Sequence, residues 1–281
     1  MAAADAIPLT GGLFVSDIDG TLVTPDKRLT PAAIRAAAEL AKAGAPFTVV
    51  SSRPPRGMAG VVARLGVKLP FAGFNGGNLV QPDGRLIEAW RLSPHAAART
   101  LGLLAAQGVD AWVFADDAWL LRDLQGPKVD RERRTVGFEP TVIGGFEPVI
   151  DRIDKIVAVS DDHAALDAVE AALRQALGAE ANVERSQPYY IDITHPRANK
   201  GDAVRSLAEL VGADLARTVV LGDMTNDIAM FRVAGFSIAM GQAPPRVKAA
   251  ADAVTLANTE DGFAEAVRSL VLPRFRAAQV G

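Results

Sequence analysis

The chain has 281 residues, 49% of them apolar, and a formal net charge of −3 with both signs interspersed. That is enough apolar material for one large core or two unequal ones, and no basic stripe implies a nucleic-acid partner. Cysteine is absent, and the three histidines, His95, His163 and His195, stand far apart with no metal-binding spacing. Disulfides, thiolate catalysis and thiolate metal sites are therefore excluded.

In chain order, GLFVSD at Gly12 to Asp17 reads as a buried strand that runs into a polar loop, DGTLVTPDKRLT. Thr30 caps a helix that takes Pro31 in its first turn, continues through Ala32 to Ala43 and stops at Gly44. Pro46 to Ser52 is the next buried strand. A helix follows Pro55 and ends near Gly66, and Phe71 to Phe74 is a third, short strand. Two more short strands, Asn78 to Val80 and Leu86 to Ala89, flank a Pro82-Asp83-Gly84 turn. Ser93 caps a helix to Gln107. VDAWVFA and AWLLRD are strands joined by Asp116-Asp117. The charged stretch from Lys128 to Phe138, and then Pro140 to Pro148, reads as irregular. Lys155 to Ser160 is a strand, His163 to Leu177 a helix, and NVERS and YYIDIT are strands that turn at Gln187-Pro188. The first style then returns: a helix over Gly201 to Val211, a strand over Arg217 to Leu221, a short helix over Asp227 to Val233, strands at FSIAM and ADAVTL, and a helix over Glu260 to Leu270.

Alternating strands and helices imply a parallel sheet with right-handed crossovers and helices on both faces. The middle, a helix-strand-strand pattern written twice, suits an antiparallel α+β domain. The expected organisation is a discontinuous α/β domain over 1–84 and 191–281, with a second domain, 85–190, inserted into it. No run of about eighteen uncharged apolar residues is present, so no membrane span is expected. Met1 to Thr10 lacks a basic leader followed by an apolar core, and a cytoplasmic location is the expectation. On oligomeric state the sequence is silent.

Open α/β sheets bind ligands at the carboxyl ends of their strands. Here those ends carry Asp17 and Asp19, then Ser51 and Ser52, then Asn75 and Gly76, then Asp223 and Asp227; Lys200 precedes the helix before the last of them. Any one of these residues, taken alone, is a turn, a cap or a solvent-facing side chain. Together, several buried carboxylates repel one another unless a cation lies among them, and a hard divalent ion such as Mg2+ suits oxygen ligands. Asp17 and Asp19 stand at i and i+2, so that in extended backbone both side chains point to one region: one can attack phosphorus while the other protonates the leaving oxygen and later activates water. Gly20 permits a sharp turn with backbone amides facing phosphate oxygens. The Ser51 hydroxyl and the Lys200 ammonium can bind the transferring phosphoryl group, and Asp227 can orient the metal site or Lys200.

These residues resemble the motifs of the haloacid dehalogenase superfamily, and in particular its Cof-type branch. Asp17-Ile18-Asp19-Gly20-Thr21-Leu22 is similar to the family's DxDGTL, Val49 to Pro54 stands at the second motif, Asn199 to Val204 supplies the third-motif lysine, and Leu221 to Asp227 reads LGDMTND. FNGG at Phe74 to Gly77 and the ADAVTLANTEDGFAEAV tract are similar to further Cof-type signatures. The resemblance implies a three-layer α/β/α Rossmann-like core with an inserted C2-type α+β cap that closes over the site. It also implies roles: Asp17 as nucleophile, Asp19 as general acid/base, and Asp17, Asp223 and the Asp19 carbonyl as Mg2+ ligands supported by Asp227. Gly20, Ser51, Ser52, Arg53, Asn75, Gly76, Lys200 and Asn226 are expected on the phosphate or substrate side. Two departures are visible. Ser51-Ser52-Arg53 stands where threonine-glycine-arginine is frequent, and Gln242 in AMGQA stands where asparagine is usual.

The expected function is Mg2+-dependent hydrolysis of a small phosphorylated metabolite, a sugar phosphate, through an aspartyl-phosphate. The alternatives are a sugar phosphomutase, an osmolyte-pathway phosphatase of the sucrose-phosphate or mannosylglycerate type, and a non-catalytic phosphate- and metal-binding protein. Arg122, Arg134 and the Tyr189-Tyr190 pair are candidate substrate contacts, each also readable as surface or packing residues.

Overall fold

The structure, a computed structural model, describes residues 11–277. In chain order the strands and α-helices are β1 (Phe14–Ser16), α1 (Pro31–Lys42), β2 (Phe47–Val49), α2 (Pro55–Leu65), β3 (Phe71–Gly73), β4 (Asn78–Val80), β5 (Leu86–Ala89), α3 (Pro94–Ala106), β6 (Asp110–Ala115), β7 (Ala118–Leu121), α4 (Val129–Val136), β8 (Thr141–Val142), β9 (Ile153–Val159), α5 (His163–Leu177), β10 (Asn182–Gln187), β11 (Tyr190–Thr194), α6 (Lys200–Val211), β12 (Val219–Gly222), α7 (Ile228–Phe231), β13 (Phe236–Ala239), α8 (Pro245–Lys248), β14 (Ala253–Val254), α9 (Gly262–Ala266) and α10 (Leu272–Ala277). The chain forms two compact units. Among the described residues, one takes those up to Val50, Gly60–Phe71, and those from Lys200 to 277; the other takes Ser51–Ala59 and Ala72–Asn199.

The first unit is built on a parallel five-stranded sheet in the order β14-β13-β12-β1-β2. From β1 the chain crosses through α1 to β2 in one direction; from β12 it crosses through α7 to β13 in the other. Right-handed crossovers in opposite directions place α1 and α7 on opposite faces, which gives the three-layer Rossmann-like arrangement. Local sequence makes α1 as expected. The Thr30 hydroxyl accepts from the Ala33 amide, Pro31 opens the helix, and Ala33, Ala36, Ala37 and Leu40 form its buried stripe. The rings of Phe14, Phe47 and Phe263 pack with centroids 5.4 to 6.0 Å apart, tying β1 and β2 to α9. The C-terminal helical region continues past the expected Leu270, through a π-helical turn at Val267–Val271 into α10.

The second unit holds a six-stranded sheet in the order β10-β11-β9-β6-β7-β8, antiparallel except for β7 with β8. Strand alternation sorts its residues into two faces. Val113, Ala115, Ile156, Ala158, Ile191 and Ile193 pack in one cluster with Leu104 of α3 and Leu166 and Leu173 of α5. Trp112, Phe114, Val157, Val159 and Tyr190 face the other way and form a second cluster with Trp119 and Phe74. The stretch from Lys128 to Phe138, expected to be irregular, instead forms α4. Its only buried residues are Val129 and Val136, one at each end, so the sequence offers no apolar stripe to read. Left-handed residues bound it, Lys128 at φ 62° and Gly137 at φ 78°, and packing on the aromatic face supplies what periodicity lacks.

Candidate active site

The order of the parallel sheet reverses between β1 and β12, and a ligand crevice belongs outside the carboxyl ends of strands at such a switch point. Asp17 follows β1 and Asp223 follows β12. The Asp17 amide donates to the Leu221 carbonyl at 2.9 Å, which fixes the two strand ends side by side. After Asp17 the chain folds tightly on itself: the Ile18 carbonyl accepts from the amides of Thr21, Leu22 and Val23. Gly20 sits at φ 79°, and a Cβ there would collide with the Asp223 carboxylate. Both facts require glycine at this position.

Lys200, at the start of α6, is 2% exposed, and its ammonium lies 2.8 Å from Asp17 Oδ1 and 2.6 Å from Asp227 Oδ1. The other Asp227 oxygen, Oδ2, accepts from the amides of Asp223 (2.7 Å) and Met224 (2.8 Å). Both Asp227 oxygens are thus committed. Asp223 differs. Its Oδ2 accepts a long bond, 3.4 Å, from Gln242 Nε2, and its buried Oδ1 has no hydrogen-bond partner among the described residues. Burial, partly opposed by Lys200, pushes the Asp17 carboxyl up to about 7, and burial together with the charges of Asp17 and Asp227 pushes Asp223 up to about 8. Burial works against the Lys200 ammonium, but Asp17 and Asp227 outweigh it and hold its pKa above the ordinary lysine value.

Oxygens of Asp17, Asp223 and Asp227 lie within 4.8 Å of one another. Three carboxylates face a single ammonium, so the fully ionised group retains uncompensated negative charge. An all-oxygen donor set with an unpartnered Asp223 Oδ1 fits a hard divalent cation. This buried group can coordinate a divalent metal.

The other expected residues fall as follows. Asp19 lies outside the three-carboxylate group, with its Oδ1 2.5 Å from Lys27 Nζ. Asn226 is half-buried in the short turn Thr225–Asp227. In the second unit, Ser51 to Arg53 and Phe74 to Gly76 form one hydrogen-bonded pair of loops. The Asn75 amide donates to the Ser51 carbonyl (2.8 Å), the Phe74 amide to the Arg53 carbonyl (2.9 Å), and the Ser51 amide to the Ala72 carbonyl (3.0 Å). The Ser51 hydroxyl oxygen accepts from the Arg53 amide at 3.2 Å. Ser51, Arg53 and Asn75 are buried, and Ser52 is half-buried.

Three contributors escaped the sequence reading of the site. Lys27, at φ 63°, holds Asp19, and no sequence signal gives that backbone or its direction. Gln242, visible only as a departure from AMGNA, donates from Nε2 to the Gly20 carbonyl at 2.6 Å and accepts from the Asn258 amide at 3.0 Å. Asn258 in turn donates to the Val23 carbonyl at 2.9 Å. The loop after β1 is thereby tied to segments more than two hundred residues away.

A family model described as haloacid dehalogenase-like hydrolase matches residues 14–267. The chain is 29% identical to the HMP-PP phosphatase of Cronobacter sakazakii over 233 residues, 83% of this chain and 85% of that protein. It is 27% identical to the pyridoxal phosphate phosphatase of Escherichia coli over 271 residues, 93% and 99% of the two chains. The crystal structure of a haloacid dehalogenase-like hydrolase from Bacteroides thetaiotaomicron is 25% identical and superposes with a TM-score of 0.84, covering 92% of this chain and 98% of that one. Among the described residues, no helix is long and apolar enough to cross a membrane. With a match that runs from β1 into the C-terminal helical region and a carboxylate group at the switch point, the chain belongs to the haloacid dehalogenase-like hydrolases and is a phosphatase of that family.

Proposed function

We propose that this protein is a Mg2+-dependent phosphomonoester hydrolase of the Cof-type branch, that Asp17 is its nucleophile, and that its substrate is a small phosphorylated metabolite of the sugar-phosphate class. The observation that carries the reading is the Lys200 ammonium bridging Asp17 and Asp227 beside a buried Asp223 oxygen with no partner. Lys200 favours the ionised, attacking form of Asp17 and offsets charge on the phosphoryl group. Both oxygens of Asp227 are engaged by Lys200 and two backbone amides, which suits an orienting role. Asp17, Asp223 and the Asp19 carbonyl would hold the ion. Mg2+ bound there supplies positive charge that neutralises the carboxylates and the phosphate.

The Asp17 carboxylate attacks phosphorus, and the bond from phosphorus to the leaving oxygen breaks as Asp19 donates its proton to that oxygen. Water then attacks the aspartyl-phosphate while Asp19 takes the water proton. Phosphate leaves, and Asp17 returns to the carboxylate. Ser51, Ser52, Arg53, Asn75, Gly76 and Asn226, with Gly20 backbone and Lys200, are assigned to the phosphate or substrate side. Residues 85–190 are assigned as a C2-type cap that selects the leaving group. The activities of the relatives, phosphatases for HMP-PP and for pyridoxal phosphate, support a small phosphorylated substrate.

The test is a phosphate-release screen over sugar phosphates, other small phosphomonoesters and diphosphates, with and without Mg2+. Release from at least one sugar phosphate, dependent on Mg2+ and abolished in a folded Asp17→Asn variant, is expected. Undiminished turnover in that variant would sink the nucleophile assignment. A profile confined to substrates that lack a sugar would sink the substrate class.

A further inference from the structure

Phe74, Asn75 and Gly76 take left-handed backbone in succession, at φ 51°, 58° and 104°. Glycine does this freely and asparagine tolerates it, but a bulky aromatic residue at positive φ is a strained outlier and persists only where its surroundings over-determine it. Two backbone bonds contribute here, from Phe74 to Arg53 and from Asn75 to Ser51. The rest comes from the aromatic face of the six-stranded sheet. The Phe74 ring lies 5.6 Å from Phe114, and the Lys155 ammonium sits 5.7 Å from the Phe74 ring and 5.3 Å from that of Phe114.

Lys155 is itself unusual. It stands on β9, only 6% exposed, and the mechanism does not use it. Its ammonium donates to the Ser52 carbonyl at 3.1 Å and to Asp192 Oδ2 on the neighbouring strand β11 at 3.3 Å. A buried ion pair of this kind contributes little net stability compared with apolar side chains of the same volume. What the pair supplies that apolar residues cannot is a charged donor fixed by Asp192 and aimed at one carbonyl, 103 residues away in sequence. That carbonyl belongs to the Ser51–Arg53 loop, and the rings under the ammonium include that of Phe74, the residue before Asn75.

We infer that Lys155, aligned by Asp192, is a positioning residue that locks the Ser51–Arg53 loop and the strained Phe74–Gly76 turn into a single phosphate-binding geometry. The inference rests on the proposal that these two loops face the phosphoryl group. Lys155 acts on neither substrate nor metal directly but through the Ser52 carbonyl and the Phe74 ring.

The experiment compares wild type, Lys155→Met/Asp192→Asn and Lys155→Arg. The double variant removes the charge without leaving a buried carboxylate unpaired. Three quantities are read: the melting temperature, the dissociation constant for inorganic phosphate by calorimetry in the presence of Mg2+, and kcat and KM for p-nitrophenyl phosphate. A folded double variant is expected to weaken phosphate binding and raise KM by about tenfold each, with a smaller change in kcat. Lys155→Arg, which keeps a donor for Ser52 and a partner for Asp192, is expected to recover most of the affinity. A folded double variant whose phosphate affinity and KM both stay within twofold of wild type overturns the inference. Should the double variant not fold, Phe114→Leu carries the same test by removing the ring that flanks Lys155 and Phe74. At least a threefold loss of phosphate affinity is then expected, and no loss overturns the inference. Wild-type protein that binds phosphate but releases none from any substrate sinks the hydrolase reading, and the variants' phosphate affinities still decide the role of Lys155.

Discussion

At Lys200 one ammonium is paired with two carboxylates, Asp17 and Asp227, with a third close by. Replacing it by methionine keeps the volume but leaves Asp17 and Asp227 buried with no cation, a change that costs roughly 3–5 kcal/mol when a buried ion pair loses one partner. Lys200→Met is therefore expected to lower unfolding stability in urea by about that amount and to abolish phosphate release. Gly20 makes a sharper test of geometry, because a suitable control exists. Gly20→Ala puts a Cβ against the Asp223 carboxylate at a backbone angle, φ 79°, that alanine rarely adopts. Gly44→Ala has a similar φ, 66°, with nothing within 4 Å of the new carbon. Both variants are expected to lose about 1 kcal/mol from the backbone, but only Gly20→Ala is expected to lose phosphate release, by tenfold or more. Equal rates in the two variants would contradict the role given to the loop after β1.

Among the elements, β9 carries two buried charges side by side, Asp154 and Lys155. Burial, partly opposed by Arg91 and a hydrogen bond from Asn78, pushes the Asp154 carboxyl from its ordinary 3.8 up to about 6. Below pH 4 the group is neutral in both folded and unfolded chains. Between about 4 and 6 it ionises only when unfolded, and above 6 it is ionised in both, so the folded state carries the cost of a buried charge. Stability therefore falls as pH rises from about 4 to about 6, by up to about 3 kcal/mol from this group. Urea unfolding across that window, in wild type and Asp154→Asn, is expected to show a steeper loss in wild type; parallel curves would remove Asp154 as the cause. At the same scale, α4 shows how an element forms without an apolar stripe. Val129 and Val136 pin its two ends on the aromatic face while Asp130 and Glu132 near the start and Arg133 and Arg134 near the end suit the helix dipole.

For the molecule as a whole, the carboxylate group can coordinate a divalent cation, and such binding would be coupled to folding. Burial first, and then the charge of Asp227, push Asp17 up; burial and the charges of Asp17 and Asp227 push Asp223 up, and a divalent cation bound only by the folded chain would offset these costs. Mg2+ is expected to raise the melting temperature. At a hundredfold excess over its dissociation constant the gain is about 2.7 kcal/mol. Asp223→Asn is expected to lose most of that shift while remaining folded, as read by differential scanning calorimetry with and without Mg2+. A full Mg2+-dependent shift in that variant would place the ion elsewhere.

Local chemistry determined a good deal of this protein. The β1 and β2 strands, the Thr30-Pro31 helix start, the Ser93 cap and the alternation of strands with helices follow from short-range signals, and they put Asp17 and Asp223 at strand ends. The family motifs gave the residues at that end of the sheet their expected chemistry. What local sequence could not carry is distance between residues remote in the chain. That Lys200 bridges Asp17 and Asp227, that Gln242 and Asn258 fasten the loop after Asp17, and that Lys155 reaches the Ser52 carbonyl are consequences of which strands become neighbours. The same holds for the left-handed backbone at Lys27 and Phe74, which no residue preference specifies and which packing imposes. Motif and spacing specify which groups are present; sheet order and close packing decide which of them share a hydrogen bond.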